Sequence, residues 1–203
     1  MPEPLTIREL SPELVDDYFA LFDSAFPDNP AWAGCFCHFH DDTSGQPFDS
    51  ADGEGHRAAR TERICSGRAR GLLAYSGGVP VGWCHVAPRS AIPNMRHLAD
   101  AVEDPADDPA AIVCFVIPPE RRGRGVARAL VTGAIEASRR WGVPWLEGYP
   151  DRPGTPTEAP TPAADAYEGP LPLFLGAGFE IARDMGDWFV VRHYLGEGSS
   201  TRH

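Results

Sequence analysis

Residues 110–141, AAIVCFVIPPERRGRGVARALVTGAIEASRRW, decide the fold of this chain. The segment Ala111–Ile117 is a continuous apolar and β-branched run, which predicts a strand covered on both faces. Apolar or small side chains then recur at helical spacing, which predicts an amphipathic helix from Val126 to Trp141. Arg139 and Arg140 in its last turn suit the helix dipole. We therefore expect a buried strand, a short turn and a long helix in direct succession.

The turn between this strand and this helix is rich in arginine and glycine. The first turn of a helix has unpaired backbone N–H groups and a partial positive charge, so it attracts anions. Gly123 and Gly125 lack the Cβ atoms that would keep a phosphate away from those groups. Four arginines add cationic forks suited to phosphate oxygens, namely Arg121, Arg122, Arg124 and Arg128. The pattern predicts a phosphate or pyrophosphate site, and the alternative is a turn whose arginines serve only solubility.

Further elements lie on both sides of this segment. The turn itself is not the dinucleotide-binding fingerprint, because that fingerprint requires a third glycine at the position where this chain has Arg128. Hydrophobic patterns and turn residues predict a mixed α/β domain in which strands outnumber helices toward the C-terminus. The predicted strands are Leu5–Arg8, Arg70–Tyr75, Val79–Val86, Trp145–Tyr149, Phe179–Arg183 and Trp188–Tyr194. The other predicted helices run from Ser11 to about Ala25, from His56 to Ser66 and from Leu171 to Ala177. Three stretches are predicted to be loops: 27–55, 89–109 and 150–165.

Composition excludes several classes of function. All 18 basic side chains among the 203 residues are arginine, against 29 acidic ones, and the net charge is -11. The absence of lysine rules out a Walker-type phosphate loop and any Schiff-base enzyme. The acidic surplus argues against general nucleic-acid binding. With no signal peptide, no membrane-length apolar run and five scattered cysteines, the sequence predicts a soluble cytoplasmic protein without membrane contacts.

The chain resembles the GNAT superfamily of N-acetyltransferases. Their signature is Arg or Gln, two residues, Gly, one residue, then Gly or Ala, and Arg122, Gly125 and Ala127 meet it. Pro119, the amphipathic helix and the segment LFLGAGF at 173–179 match the same family pattern. The resemblance covers roughly Leu5–Leu195 and implies a single N-acetyltransferase-like domain over residues 1–203. It implies a central mixed sheet of about seven strands, antiparallel at its N-terminal side, and about four helices.

The resemblance also implies acetyl-CoA as co-substrate. Backbone N–H groups of the turn would hold the pyrophosphate, and the strand edge would pair with the pantetheine amides. The cofactor-binding residues implied in this way are Phe115, Val116, Ile117, Arg122, Gly123, Arg124, Gly125, Val126, Ala127 and Arg128. The family's reaction is direct attack of an amine on the thioester. The implied function is acetyl transfer to an amine of a small molecule or peptide.

The chain departs from the family pattern at the positions of two functional residues. Phe174 stands where many relatives have a tyrosine that protonates the thiolate, and Tyr167 stands where many have an asparagine. Deprotonating an alkyl amine with a pKa of about 10 at neutral pH costs about 4 kcal/mol, so a general base is expected. The candidate catalytic residues are Glu147, Tyr149, Tyr167 and His85. We expect Glu147 to act as the base through water, and Tyr149 or Tyr167 as the acid.

The segment CFCHFH at 35–40 contains two thiols and two imidazoles. All four lie within six residues, whereas zinc sites usually separate two ligand pairs by a long loop, so no metal is predicted. In an extended chain Cys35 and Cys37 would face one way, and His38 and His40 the other. We expect the segment to line the acceptor pocket with Trp32, Phe36 and Phe39.

Other possibilities remain open from the sequence. Acidic clusters at Asp41-Asp42, Asp49–Glu54 and Asp100–Asp108 favour a cationic acceptor, or they are plain solvated loops. The departures from the family pattern allow a non-catalytic sensor or regulatory module that binds acyl-CoA. A third alternative is a metal-binding or redox module centred on Cys35–His40. The acceptor, the acyl-chain length and whether the protein forms a homodimer are not determined by the sequence.

Overall fold

One mixed sheet of seven strands runs through the protein, in a computed structural model that describes residues 4–27, 32–44, 48–49, 51–95, 108–155 and 167–196. The strands are β1 Leu5–Glu9, β2 Leu72–Ser76, β3 Val79–Pro88, β4 Ala110–Val116, β5 Trp145–Gly148, β6 Glu180–Asp184 and β7 Phe189–Tyr194. Their order in the sheet is β1-β2-β3-β4-β5-β7-β6. Only β4 and β5 pair in parallel, and the other neighbours are antiparallel. The predicted mixed α/β fold with an antiparallel N-terminal side is confirmed.

Four α-helices within the described residues cover the two faces of the sheet: α1 Val15–Ser24, α2 Gly53–Cys65, α3 Val126–Trp141 and α4 Leu171–Leu175. Strand β2 shows why both faces are covered, because every residue from Leu72 to Tyr75 is buried. Leu72 and Ala74 pack with α3 and α4, while Leu73 and Tyr75 pack with α1 and α2. Short 3₁₀ turns cover Pro12–Leu14, His38–His40, Arg89–Ala91 and Pro119–Arg121.

The ends of the helices follow local chemistry. Helix α3 has the predicted bounds, and Gly142, with φ at 75°, ends it. Helix α2 begins three residues earlier than the predicted start at His56, because the Asp52 carboxylate accepts a hydrogen bond from the Gly55 N–H and caps the helix. None of the helices in the described ranges is both long enough and apolar enough to cross a bilayer.

Strands β4 and β5 stay together over only part of their length. Ala110, Ala111 and Ile112 pair with β5, and β4 then continues to Val116 without it. Val113 is the extra residue of a β-bulge against β3, since His85 pairs with Cys114 and Val86 with Ile112. A bulge bends its strand, so β4 leaves β5 at this point. Beyond this point Phe115 and Val116 line two adjoining cavities.

The segment 35–40 is not extended, and the expectation of two opposite faces is wrong. Phe36 and Cys37 have positive φ angles of 44° and 55°, and His38–His40 forms a 3₁₀ turn. This reversal places Cys37 and His40 on the same side, facing His85 of β3. Phe36 points into the core against Phe19 and Phe22, so its expected place in the acceptor wall is also wrong.

Candidate functional site

A cavity of about 550 Å³, the turn cavity, lies between the arginine-glycine turn and the free end of β4. It is lined by Ala25, Phe26, Trp32, Phe115, Val116, Ile117, Arg121, Arg122, Gly123, Gly125, Val126, Ala127, Arg128, Tyr167, Gly169, Pro170 and Leu173. Nine of the ten residues predicted to bind the cofactor are in this set. The tenth, Arg124, is exposed and lies outside the cavity wall.

The turn has the backbone conformation that only glycine adopts readily. Gly123 and Gly125 have φ angles of 70° and 85°, in the left-handed region. A Cβ atom added at either position would meet nothing within 4 Å, so both glycines border open space. The first N–H groups of α3 follow directly, and the first hydrogen bond of the helix joins the Ala129 N–H to the Gly125 carbonyl at 3.0 Å. This end of α3 offers backbone donors and a positive dipole to an anion.

The edge of β4 beside this turn is already in part occupied. The Phe115 N–H donates to the Tyr167 carbonyl at 2.5 Å. The Ile117 carbonyl accepts from Arg122 Nε at 3.0 Å. The Tyr167 carbonyl thus occupies the Phe115 N–H, with which the predicted strand-like pairing to an extended ligand would begin. The next backbone donor along this edge of β4 is the Ile117 N–H.

A second cavity of about 340 Å³, the aromatic cavity, continues from the first. It is lined by Phe22, Phe26, Trp32, Cys35, Cys37, Phe39, His40, Phe48, Cys114, Phe115, Val116 and Tyr167. Five residues line both cavities: Phe26, Trp32, Phe115, Val116 and Tyr167. The predicted positions of Trp32, Phe39 and the Cys35–His40 segment at a pocket wall agree with this geometry.

Tyr167 lies at the junction of the two cavities. Its ring stands edge-on to Trp32, with the ring centres 5.0 Å apart. Burial, reinforced by the charge of Glu168, raises the pKa of its phenol. The phenol therefore keeps its proton at neutral pH. Among the four candidate catalytic residues, Tyr167 alone lines a cavity in the described structure.

Glu147 and Tyr149 lie elsewhere, on β5 and just after it. The Glu147 carboxylate is fully buried between two guanidinium groups: it accepts from Arg192 Nε at 2.6 Å and is paired with Arg89. The Tyr149 hydroxyl donates to the same carboxylate at 2.7 Å, and burial together with this negative charge raises the pKa of Tyr149. Neither side chain lines either cavity. A buried carboxylate that pairs with three hydrogen-bond donors has a structural role and does not face a substrate.

His85 lies behind the aromatic cavity, on β3. Its Nδ1 is 3.3 Å from the Cys37 sulfur. Burial and the positive charge of Arg60 hold the pKa of His85 well below its usual range, so its imidazole is neutral. Burial opposes ionisation of Cys37, but the neighbouring Cys114 and Trp83 side chains and the charge of Arg60 outweigh it and lower the pKa of that thiol.

Cys37, His40 and His85 are the residues that come closest to a metal-binding set in the described ranges. One donor atom from each lies within 4.8 Å of the others, and all three residues are buried. The surroundings carry a surplus of positive charge, however. Arg60 and Arg63 share the single carboxylate of Asp41, at 2.6 and 3.0 Å. Adding a divalent cation beside this surplus is electrostatically costly in a buried place.

The Arg60–Asp41–Arg63 group was missed by the sequence analysis. The only signal for it was the spacing of Arg60 and Arg63, which puts both on one face of a helix. Asp41 therefore serves this buried group, and several other acidic residues of the clusters also have local roles. Asp52 caps α2, and Asp108 accepts hydrogen bonds from Ser90. Residues 100–107 of the third acidic cluster lie outside the described residues.

Comparison with known proteins agrees with this geometry. Structures with the same fold include yncA from Salmonella typhimurium with its cofactor acetyl-CoA (15% identity, TM-score 0.54, covering 98% of each chain). An N-acetyltransferase from Staphylococcus aureus Mu50 has 15% identity and a TM-score of 0.55 over 95% of this chain and 99% of that one. PaiA N-acetyltransferase from Thermoplasma acidophilum in complex with coenzyme A has 12% identity and a TM-score of 0.51 over 94% and 99%.

At sequence level, no protein of curated function matches this chain. The model of the acetyltransferase (GNAT) family matches residues 12–154, from the first helix through the turn and β5. This match spans well over half of the chain and includes the strand, turn and helix around which the turn cavity forms. The chain is an acyltransferase that belongs to the GNAT acetyltransferase family.

Proposed function

We propose that this protein transfers the acetyl group of acetyl-CoA to an amine of a small molecule by direct attack on the thioester. The observation that carries the proposal is the turn cavity, in which left-handed glycines and the start of α3 border open space. This end of α3 is suited to a diphosphate, and the adjoining edge of β4 is suited to an extended amide chain. The cleft where β4 leaves β5 is the place for the thioester.

The residues of the turn divide into three roles. The N–H groups of residues 125–128 face the diphosphate, as backbone donors at a helix start do. Arg121 and Arg128 line the cavity and add charge. Arg122 also lines the cavity, and its Nε donates to the Ile117 carbonyl, which fixes the path of the turn. Arg124 is exposed and lies outside the cavity wall, so it contributes least to binding of the diphosphate.

Tyr167 is the proposed acid. Bound acetyl-CoA supplies the activated acyl group and a thiolate leaving group. The Tyr167 phenol is protonated at neutral pH and lines the junction of the two cavities, where that thiolate forms. Because its pKa is raised above that of a thiol, this phenol passes its proton to the departing sulfur only as the attacking nitrogen returns a proton to the phenolic oxygen. Phe174 cannot take this role, because its ring has no acidic proton; it is fully buried against Phe179 and Phe115.

The test is calorimetry with CoA together with an assay of free thiol from acetyl-CoA in the presence of amines. Arg121→Ala removes a cavity-lining guanidinium, and we expect CoA to bind about 10- to 100-fold more weakly. Arg124→Ala is the matched control, and its affinity should change less than threefold. Equal effects of the two substitutions would contradict the assignment of the turn cavity. Tight CoA binding without thiol release for any amine would favour the acyl-CoA sensor instead.

A further inference from the structure

The aromatic cavity has a wall of unusual composition. Seven of its side chains are Phe, Trp or Tyr, and three more are cysteines. Phe39 and Phe48 form an edge-to-face pair with ring centres 5.5 Å apart, and the Phe48 ring stacks on His56 at 4.5 Å. Stacked and edge-to-face rings of this kind accept another flat ring with favourable geometry.

No carboxylate and no guanidinium stands among the described residues that line this cavity. Behind this wall the Arg60–Asp41–Arg63 group carries two cations and one anion. At the junction with the turn cavity, the Glu168 carboxylate acts on the Tyr167 phenol. The effect of Arg60 on His85 and Cys37 shows that this positive charge is felt at the cavity wall. An alkylammonium ion inside this cavity would lie against the charge of Arg60, and the described lining itself offers no carboxylate partner. The Glu168 carboxylate acts only at the Tyr167 end.

We propose that the acceptor is a neutral aromatic amine of the aniline class, whose ring lies in the aromatic cavity with its amino group toward Tyr167. This proposal rests on the proposed function and replaces the cationic acceptor that the acidic clusters had favoured. The volume of about 340 Å³ is at the small end of ligand cavities and suits a compact ring system rather than a peptide.

The chemistry of such an acceptor fits the residues present. An aromatic amine is uncharged at neutral pH, so it needs no base before it attacks. An alkyl amine with a pKa of about 10 is neutral in only about one molecule in a thousand at pH 7. The place of Glu147 between Arg89 and Arg192 is then no obstacle to the reaction.

The proton balance closes through Tyr167. The amine lone pair forms the new N–C bond at the acetyl carbonyl, and the C–S bond breaks with its electron pair on sulfur. Tyr167 gives its phenolic proton to that sulfur, and the nitrogen, now acidic, returns one proton to the phenolate. The products are the N-aryl acetamide and CoA thiol, with no oxidant, reductant or metal required.

The first test compares aniline, benzylamine, cyclohexylamine and spermidine as acceptors of the wild-type enzyme with acetyl-CoA. We expect kcat/KM at pH 7 to be at least 100-fold higher for aniline than for the other three. For benzylamine it should rise about tenfold per pH unit toward its pKa, whereas for aniline it should stay flat on the same interval. A preference for spermidine or cyclohexylamine at pH 7 would overturn the proposal.

The second test changes the wall of the aromatic cavity. Phe39→Leu and Phe48→Leu should each lower kcat/KM for aniline about 3- to 10-fold, as the loss of one aromatic contact predicts. The affinity for CoA should change less than twofold, because neither residue lines the turn cavity. Tyr194→Leu, at a side chain 53% exposed on β7, is the control and should leave both unchanged.

The two proposals fail in different ways. Absence of CoA binding by the wild-type protein would refute the proposed function itself. CoA binding with rapid transfer to alkyl amines, and none to aniline, would keep the proposed function and refute the aromatic acceptor.

Discussion

Glu147 sits where strand alternation puts it, on the same face as Tyr149, yet its surroundings make it a structural group. Its partners Arg89 and Arg192 come from positions 58 and 45 residues away in the chain. Local patterns contain no information about such partners. The role of Glu147 as a catalytic base stays a prediction from the sequence, and its ion pairs favour a role in the stability of the fold.

Glu147→Gln should lower the free energy of unfolding by about 3–5 kcal/mol, because the buried Arg89 and the partly exposed Arg192 lose their counter-ion. Urea denaturation measures this change. Glu180→Gln, at an exposed position of β6, is the control and should change stability by less than about 0.5 kcal/mol. A stable Glu147→Gln variant whose kcat is lost would instead support Glu147 as the catalytic base.

Cys37 shows the same limit of residue-level reasoning. Its sulfur meets His85 across 48 residues of sequence, through a backbone reversal with two positive φ angles outside glycine. Alternation along an extended chain predicted the opposite arrangement. Positive φ at Phe36 and Cys37 is intrinsically unfavourable, so packing of Phe36 and Tyr18 around this turn has to maintain it. The Tyr18 hydroxyl donates to the Phe36 carbonyl at 2.8 Å.

At the scale of elements, β3 and α3 fix the position of the turn. Gly82 of β3 is where the start of α3 approaches the sheet, since a Cβ atom there would lie 2.6 Å from Val126 Cγ1. Gly133, farther along α3, has the same role against β1, because a Cβ atom there would lie 2.7 Å from Ile7 Cγ2. The two glycines let α3 lie close to the sheet, and Gly82 sets the distance between the sheet and the turn that precedes α3.

Gly82→Ala should therefore destabilise the fold by about 1–3 kcal/mol and also weaken CoA binding several-fold, because it pushes Val126 and the adjoining turn outward. Gly133→Ala is the matched control, with a similar clash at a distance from the turn. It should cost stability, partly offset by about 1 kcal/mol of helix propensity, and leave CoA affinity unchanged. Thermal melting and calorimetry give both quantities. Equal losses of affinity in the two variants would contradict this account.

Over the whole molecule, the sheet separates two environments. The face covered by α3 and α4 holds an apolar core. The face covered by α1 and α2 also buries charged and titratable groups, among them Arg60, Asp41, His85 and His40. The two cavities lie on the junction between these environments, at the point where β4 leaves β5. Polar groups buried on one face only make the stability of the molecule dependent on pH.

The free energy of unfolding should fall as the pH drops below about 6.5, the usual pKa of histidine. The folded-state pKa of His85 is depressed, so below this pH the unfolded chain takes up a proton that the folded chain refuses. The stability contribution is complete above the unfolded pKa and is lost toward acid pH. Urea denaturation at pH 7.5 and 5.5 measures the difference. His85→Gln should reduce it, and His193→Gln, at a partly exposed position, should not.

Much of the fold was predictable from the sequence because its signals are local. The bounds of α3, the strand before it and the final hairpin follow from periodicity, turn residues and glycine positions. The turn itself was identified from Arg122, Gly125 and Ala127. The start of α2 and the path of 35–40 were not, since a cap at Asp52 and two strained residues decided them.

By itself, then, the sequence determined the strand, the turn and the helix that border the turn cavity, and with them the family of the protein. These features depend on neighbours a few residues apart, whose geometry the backbone fixes. The tertiary structure alone decided which titratable groups face the cavities. Burial and ion pairing join distant segments. They hold Glu147 away from both cavities, place Tyr167 where the two cavities meet and bury Arg60 behind the wall of the aromatic cavity.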